Sequence, residues 1–259
     1  MRVPRSIRRL TDPLLTRLRV PVVSGVNRGR YWSLVSAGSG YVSGRRAAGE
    51  MRLLSALIQP GDVVWDVGAH HGYVTLCASR RVGEGGRVHA FEPSRRNRGI
   101  LERHVRWNRC QNVSVHAFAL SVRDGEERLG GEGTSKTLAL GQGSEVVAVR
   151  SAATLVRQGV VMVPTFLKID VEGAEGDVIA GAMEILPRDA RLFVEVHSSA
   201  SDKRCCELLL GAGFHLHEST GLKSMRAGDD RKTDADLYCA GPEYEHWERD
   251  SALLKQCGF

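Results

Sequence analysis

The 259-residue sequence predicts an α/β fold of the Rossmann-like kind, with a mostly parallel central sheet, helices on both faces and an antiparallel hairpin at the C-terminal edge. Three observations carry this. Short β-branched runs alternate with amphipathic segments from Val63 to Val196, a glycine-bearing turn spans Asp66 to Gly72, and an acid, Glu92, ends the second run. Strand-helix alternation in this order demands parallel strands with right-handed crossovers.

Up to about Gly44 the signals are weak, because Gly25, Gly29, Gly38, Gly40 and Gly44 punctuate runs such as Tyr31 to Val35, which reads as a small hairpin or a loop-rich lid. Glu50 to Ile58 puts Met51, Leu54, Leu57 and Ile58 on one helical face before Pro60-Gly61 stops it. The regular part follows: strand Val63–Val67, helix Tyr73–Arg81, strand Arg87–Phe91, helix Ser94–Asn108 and strand Val113–Ala119. Asp124 to Gly143 is polar and glycine-rich, an excursion before strand Glu145–Val149 and the short helix Ala152–Gln158. Strand Phe166–Val171, helix Glu175–Leu186 and strand Leu192–Val196 resume the sheet. Helix Lys203–Leu210 and the strands Phe214–His217 and Asp236–Ala240 close it. The expected division is a basic N-terminal arm and lid-like segment over 1–48, one domain over 49–245 and a tail over 246–259.

Composition narrows the partners. The formal charge is +6, yet Arg2, Arg5, Arg8, Arg9, Arg17 and Arg19 face only Asp12 in the opening segment, so the body is nearer neutral and nucleic acid is disfavoured. Ile7, Leu10, Leu14 and Leu18 fall at helical spacing among those arginines, a pattern for weak membrane-surface contact that Pro13 interrupts; a docking helix or a frayed tail fits it too. Six cysteines form no zinc-type spacing, and no stretch reaches the ~20 apolar residues of a membrane span. A reduced, cytoplasmic protein is the expectation.

Ligands of open α/β sheets bind beyond the carboxyl ends of the strands. There Asp66-Val67-Gly68-Ala69-His70-His71-Gly72 leaves the first strand, with Gly68 for the tight turn and Gly72 for close approach of the helix start to a ligand. Glu92 follows at the spacing that lets a carboxylate take ribose hydroxyls, and together these residues make an adenosine site. A dinucleotide loop needs a second glycine where Ala69 and His70 stand, and Asp66 repels pyrophosphate but suits the ammonium and sulfonium of S-adenosylmethionine.

The segments PGDVVWDVGAHHGYVTL, GRVHAFEPSRRNRGILERHVRWN, VHAFALSVRDGE, FLKIDVEGAEGDVIAGA and FVEVH resemble the successive blocks of the FkbM-type methyltransferase family. The resemblance covers about Glu50 to His217 and implies a class I methyltransferase fold, S-adenosylmethionine as donor, and a hydroxyl acceptor on a sugar, glycosylated compound or secondary metabolite. One departure is His70-His71, where the family commonly has Asn and an apolar residue.

For the acceptor side two clusters stand out. Lys168, Asp170 and Glu172 alternate with apolar residues at one strand end, and Glu195 and His197 share a face at the next. Asp170, Glu195, His197 and Lys168 are the candidate catalytic residues, and both clusters are expected on the rim that carries Asp66 and Glu92. Lys168 with Asp170 or Glu195 also reads as a structural ion pair, and His197 as general base, metal ligand or core histidine. Asp170, Glu195 and His197 would be the ligands of a Mg2+ ion, although histidine is an unusual partner for it, and metal dependence stays open. Three functions remain: an O-methyltransferase, an RNA 2'-O-methyltransferase, and a non-catalytic S-adenosylmethionine-binding module.

Overall fold

The apolar runs spaced along the sequence become the middle of a seven-stranded sheet. The structure, a computed structural model, describes residues 17–34, 36, 38–130, 139–140, 143–218 and 236–257. A hairpin of β1 (Arg19–Pro21) and β2 (Tyr31–Ser33) precedes α1 (Ser39–Val42) and α2 (Ala48–Leu57). Next come β3 (Val63–Val67), α3 (Tyr73–Val82), β4 (Arg87–Phe91), α4 (Arg95–Trp107) and β5 (Val113–His116). A smaller sheet holds β6 (Phe118–Ser121), β7 (Gly125–Gly130), β8 (Ala139–Leu140) and β9 (Glu145–Ser151). The alternation resumes with α5 (Ala152–Arg157), β10 (Phe166–Ile169), α6 (Glu175–Ala182), β11 (Arg191–Val194) and α7 (Ser199–Gly211). It ends in β12 (His215–Glu218), β13 (Leu237–Ala240) and α8 (Trp247–Cys257).

The order of the large sheet is β12-β13-β11-β10-β3-β4-β5. Strands β11, β10, β3, β4 and β5 pair in parallel, and β13 runs antiparallel to both its neighbours, so the expected edge hairpin is present with its second strand on the inner side. Alternation along each strand divides the core between two faces. Trp65 and Val67 pack with Ile169, Val194, Val178 and Leu209 on one, while Val64 packs with Leu54, Leu76, Phe166 and Tyr238 on the other. Helices therefore cover both sides, which is why the central strands are mainly apolar on both faces.

At the amino ends of these strands, opposite the candidate site, Arg191 and Asp62 form a buried ion pair at 2.5 Å. Arg191 also donates to the Leu57 carbonyl at 2.7 Å, and the Thr165 hydroxyl donates to Asp62 at 2.7 Å, so the pair ties α2, β10 and β11 together.

Three elements differ from the sequence reading. Val113 to Ala119 is two strands, because the chain leaves the edge of the large sheet after β5 and β6 pairs in parallel with β9 instead. The excursion after Asp124 carries β7, which pairs with β9; residues 131–138 and 141–142 of it lie outside the described residues. The stretch read as a tail forms α8, whose Asp250 accepts from the Tyr238 hydroxyl at 2.5 Å and whose Leu254 is buried. The stripe of Ile7, Leu10 and Leu14 lies outside the described residues.

Candidate active site

Beyond the carboxyl ends of β3, β4, β10 and β11 opens a cavity of about 330 Å³. Asp66, Gly68, Ala69 and Glu92 line it, as do Lys168, Asp170 and Glu195. Segments before β3 close it from above, with Tyr41, Arg46, Glu50 and Met51 on the wall.

The turn after β3 is shaped by its glycines. Gly68 sits at φ +80, and a Cβ there would lie 1.8 Å from the Asp170 carbonyl oxygen, so only glycine lets the end of β10 pass this closely. Gly72, at φ +87, has a different task from the one its position suggests: a Cβ would meet Leu101 Cδ1 at 2.4 Å. It lets α3 pack closely on α4. The amides of Gly68 and Ala69 donate to the Phe91 carbonyl at 3.1 and 3.0 Å, which locks the turn to β4.

Glu92 is held from both sides, by the His70 amide at 2.8 Å and the Ser94 amide at 2.9 Å. Burial nevertheless pushes its carboxyl up to about 7. The His70 and His71 rings stack at 3.8 Å. Burial drives His71 down to about 2, leaving it neutral, and its Nδ1 lies 2.7 Å from the Ser36 hydroxyl. Its carbonyl accepts from His104 Nδ1 at 2.7 Å, and His104 Nε2 accepts the Ser33 amide at 3.0 Å. His71 thus fastens the cofactor turn to α4 and the N-terminal hairpin.

Asp66 is fully buried, and burial raises its pKa. Its Oδ2 accepts from the Thr75 hydroxyl, while Oδ1 has no hydrogen-bond partner among the described residues. An orphaned carboxylate edge in a cavity is stabilised by a cation or an N–H donor. The ammonium of S-adenosylmethionine supplies one, Glu92 faces the same cavity as a ribose acceptor, and Phe91, Leu120 and Leu129 offer apolar surface for an adenine. These residues fit that cofactor.

Lys168 stands opposite Asp66 in the register of β10 and β3, and its Nζ lies 3.0 Å from Asp170 Oδ2. Burial alone would lower its pKa, but the carboxylates of Asp170, Asp66 and Glu195 overrule that and hold it above the ordinary lysine range. The ion-pair reading of Lys168 and Asp170 is met by geometry, and both still line the cavity.

His197 is not on the cavity wall. Its Nδ1 meets Glu175 at 2.8 Å, and its Nε2 lies 3.5 Å from Asp170 and 3.6 Å from Glu172. The hydrogen bond to Glu175 raises its pKa to about 9 against the opposing pull of burial. Glu172, at φ +53, turns out of the strand direction, and the side chains that converge within 4.8 Å are Asp170, Glu172 and His197. Glu195 of the expected metal set points elsewhere. These two carboxylates and one imidazole are a poor donor set for Mg2+, which prefers oxygen ligands throughout.

Glu195 and Glu50 both line the cavity, and burial together with the Glu195 carboxylate raises Glu50 to about 8. Sequence reading took Glu50 only as the start of a helix, and no local signal marks it, because the two residues share a wall only in the folded chain.

The family model for the Methyltransferase FkbM domain matches residues 66–259. The hexuronic acid methyltransferase AglP of Haloferax volcanii is 27% identical over 187 residues, which cover 70% of this chain and 73% of that protein. The crystal structure of a precorrin-6y C5,15-methyltransferase from Geobacter metallireducens matches with a TM-score of 0.50 at 13% identity, covering 79% of this chain and 92% of that one, a likeness of fold alone. With a class I α/β sheet, a turn and carboxylates that fit an adenosine cofactor, and a family match over most of its length, the chain belongs to the FkbM methyltransferase family and is an S-adenosylmethionine-dependent methyltransferase.

Proposed function

We propose that the protein methylates a hydroxyl of a sugar or glycosylated small molecule, with an acidic sugar such as a hexuronic acid as the first acceptor to test. The observation that carries this reading is the wall of the cavity, which Glu50, Lys168, Asp170 and Glu195 line together with Asp66 and Gly68. Carboxylates and an ammonium suit a polyhydroxylated ring, whose hydroxyls both donate and accept. Arg46, an exposed cation on the same wall, suits a sugar carboxylate. The hexuronic acid methyltransferase relative supports the same class. Asp170-Val171-Glu172-Gly173 carries no proline or aromatic residue to grip a planar amine.

When bound, S-adenosylmethionine supplies a methyl group already activated by the positive sulfur, so the protein contributes alignment and deprotonation. Asp66 and Glu92 hold the donor, Lys168 fixes Asp170, and His197, clasped by Glu175, steadies Asp170 and Glu172 from behind. On this reading turnover is independent of added metal and survives EDTA.

The reading extends to the cell. Cys77, Cys110, Cys205, Cys206 and Cys239 are buried, in keeping with the cytoplasm, and no helix of the described residues is long and apolar enough to cross a membrane. Leu18, Val23 and Leu34 are 49%, 62% and 48% exposed on the hairpin beside exposed Arg17 and Arg19, which favours weak contact of this face with an anionic membrane surface.

The test is acceptor profiling by mass spectrometry with S-adenosylmethionine and separate pools of methyl hexuronosides, neutral hexosides and RNA. O-methylated sugar and S-adenosylhomocysteine in equal amounts are expected. Methylation of RNA alone would replace this reading with the 2'-hydroxyl one, and cofactor binding without any turnover would make the chain a binding module.

A further inference from the structure

The cavity wall is crowded with acids. Glu50, Asp66, Glu92, Asp170, Glu172 and Glu195 all line it, against two cations, Lys168 and Arg46. Lys168 is 3% exposed and its Nζ lies 3.0 Å from Asp170 Oδ2, so its charge is already matched inside the wall. Arg46 is exposed, and no carboxylate of the described residues pairs with it. An anionic acceptor entering this cavity meets repulsion unless a cation offsets it, and Arg46 is placed to do so.

The loop that carries Arg46 is tied down on both sides. Its own amide and that of Arg45 donate to the Gly40 carbonyl at 3.0 Å, which closes the turn between α1 and α2. The Val23 amide donates to the Val42 carbonyl at 2.9 Å and the Ser24 hydroxyl to the Ser43 carbonyl at 2.6 Å, so the turn is fastened to the N-terminal hairpin. The hairpin is anchored in turn: Asn27 Nδ2 donates to the Tyr73 carbonyl at 2.8 Å, and the buried Trp32 ring stacks on His104 with centroids 3.9 Å apart. Trp32 supports Tyr41 of α1, whose ring stacks on it at 5.4 Å and meets Tyr73 edge-on at 4.9 Å. Tyr41 is partly buried and lines the cavity, and its hydroxyl makes no hydrogen bond among the described residues.

We propose that Tyr41 and Arg46 select the acceptor: Tyr41 seats the sugar ring and Arg46 takes its carboxylate. A pyranose presents a C–H face that packs on an aromatic ring and hydroxyls that need partners, and Tyr41 offers a ring and a hydroxyl. A guanidinium meets a carboxylate with two parallel hydrogen bonds, a geometry that an ammonium lacks. Both residues lie ahead of the matched region 66–259. The turn after β3 and Glu92 therefore hold the donor, and the segment from α1 to α2 chooses what is methylated.

This inference rests on the reading that the cavity takes a sugar, and the experiment separates the two. The constants kcat and KM are measured for a methyl hexuronoside, its uncharged carboxamide and a neutral hexoside, with the wild type, Arg46→Gln, Arg46→Lys, Tyr41→Phe and Tyr41→Leu. S-adenosylhomocysteine affinity by calorimetry and melting temperature are followed alongside. The wild-type preference for the hexuronoside over its carboxamide should fall about tenfold or more in Arg46→Gln, through KM, and Arg46→Lys should keep part of it. Raising the salt from about 0.05 M to about 0.5 M should erode the same preference in the wild type and much less in Arg46→Gln. Tyr41→Phe removes the hydroxyl and Tyr41→Leu the ring as well, so KM for every sugar should rise in the first and further in the second. Affinity for S-adenosylhomocysteine should stay near wild type throughout, and Tyr41→Phe, which keeps the stacking on Trp32, tests the tyrosine even where Tyr41→Leu melts early. An unchanged preference in Arg46→Gln, or sugar KM values unmoved in both Tyr41 variants, would overturn the assignment. So would an Arg46→Gln protein that loses its affinity for S-adenosylhomocysteine, since Arg46 would then belong to the donor site. A wild type that methylates the hexoside and the carboxamide but not the hexuronoside would overturn this inference and leave the sugar reading standing. A wild type inert toward every sugar would sink both.

Discussion

At position 68 the absence of a side chain is a structural requirement: φ is +80 and a Cβ would stand 1.8 Å from the Asp170 carbonyl oxygen. Gly68→Ala should therefore destabilise the protein by about 2 kcal/mol or more, from the left-handed backbone plus the clash, and should abolish S-adenosylhomocysteine binding. Chemical denaturation and calorimetry check the two effects separately. His197 makes a second residue-scale prediction. Its pKa is raised to about 9 in the folded protein from a reference of 6.5, so its stabilising contribution is complete below about 6.5 and is lost as the pH rises through about 9. His197→Gln should lower the melting temperature at about pH 6 and do so much less above about pH 9.5. An equal loss at both pH values would show that the imidazolium is not what holds Glu175 and Asp170. Asp66, Gly68 and Glu92 were legible in the sequence because strand-turn-helix spacing fixes their place locally. Glu50 was not, because it joins Glu195 on the cavity wall from 145 positions away in the sequence.

At the scale of elements, β3 and β4 occupy the residues predicted for them, because each is a short, mainly apolar run with Gly or Pro nearby and a helix-forming segment after it. The split of β5 from β6 and the existence of α8 escaped sequence reading for a shared reason: each depends on a partner chosen in three dimensions, β9 for one and α2 with Tyr238 for the other. The Arg191–Asp62 pair tests how far the two ends of the sheet are independent. Arg191→Ala leaves a buried carboxylate without its partner and should cost about 3–5 kcal/mol by urea denaturation. The pair lies at the amino ends of the strands, so S-adenosylhomocysteine affinity of the folded fraction should not change. A large loss of affinity at unchanged stability would contradict this division of the molecule.

For the molecule as a whole, positive charge is concentrated in the N-terminal segment and along α4, whose sequence carries Arg95, Arg96, Arg98, Arg103 and Arg106 with one acid, Glu102. Deletion should stop at residue 16, since Arg19 to Pro21 pair with β2. Removing residues 1 to 16 should leave cofactor affinity intact and reduce sedimentation with anionic liposomes at low salt; a full-length protein that ignores such liposomes would reduce the arm to a docking or tail segment.

The central claim is that the carboxylates and glycine turn at the ends of β3 and β4 hold S-adenosylmethionine, and isothermal titration with S-adenosylhomocysteine and with NAD tests it most directly. Micromolar-range binding of S-adenosylhomocysteine is expected, weakened about tenfold to a hundredfold by Glu92→Ala through lost ribose hydrogen bonds, with little binding of NAD. Tight binding of NAD with no response to S-adenosylhomocysteine, or a Glu92→Ala protein that binds as well as wild type, would contradict it.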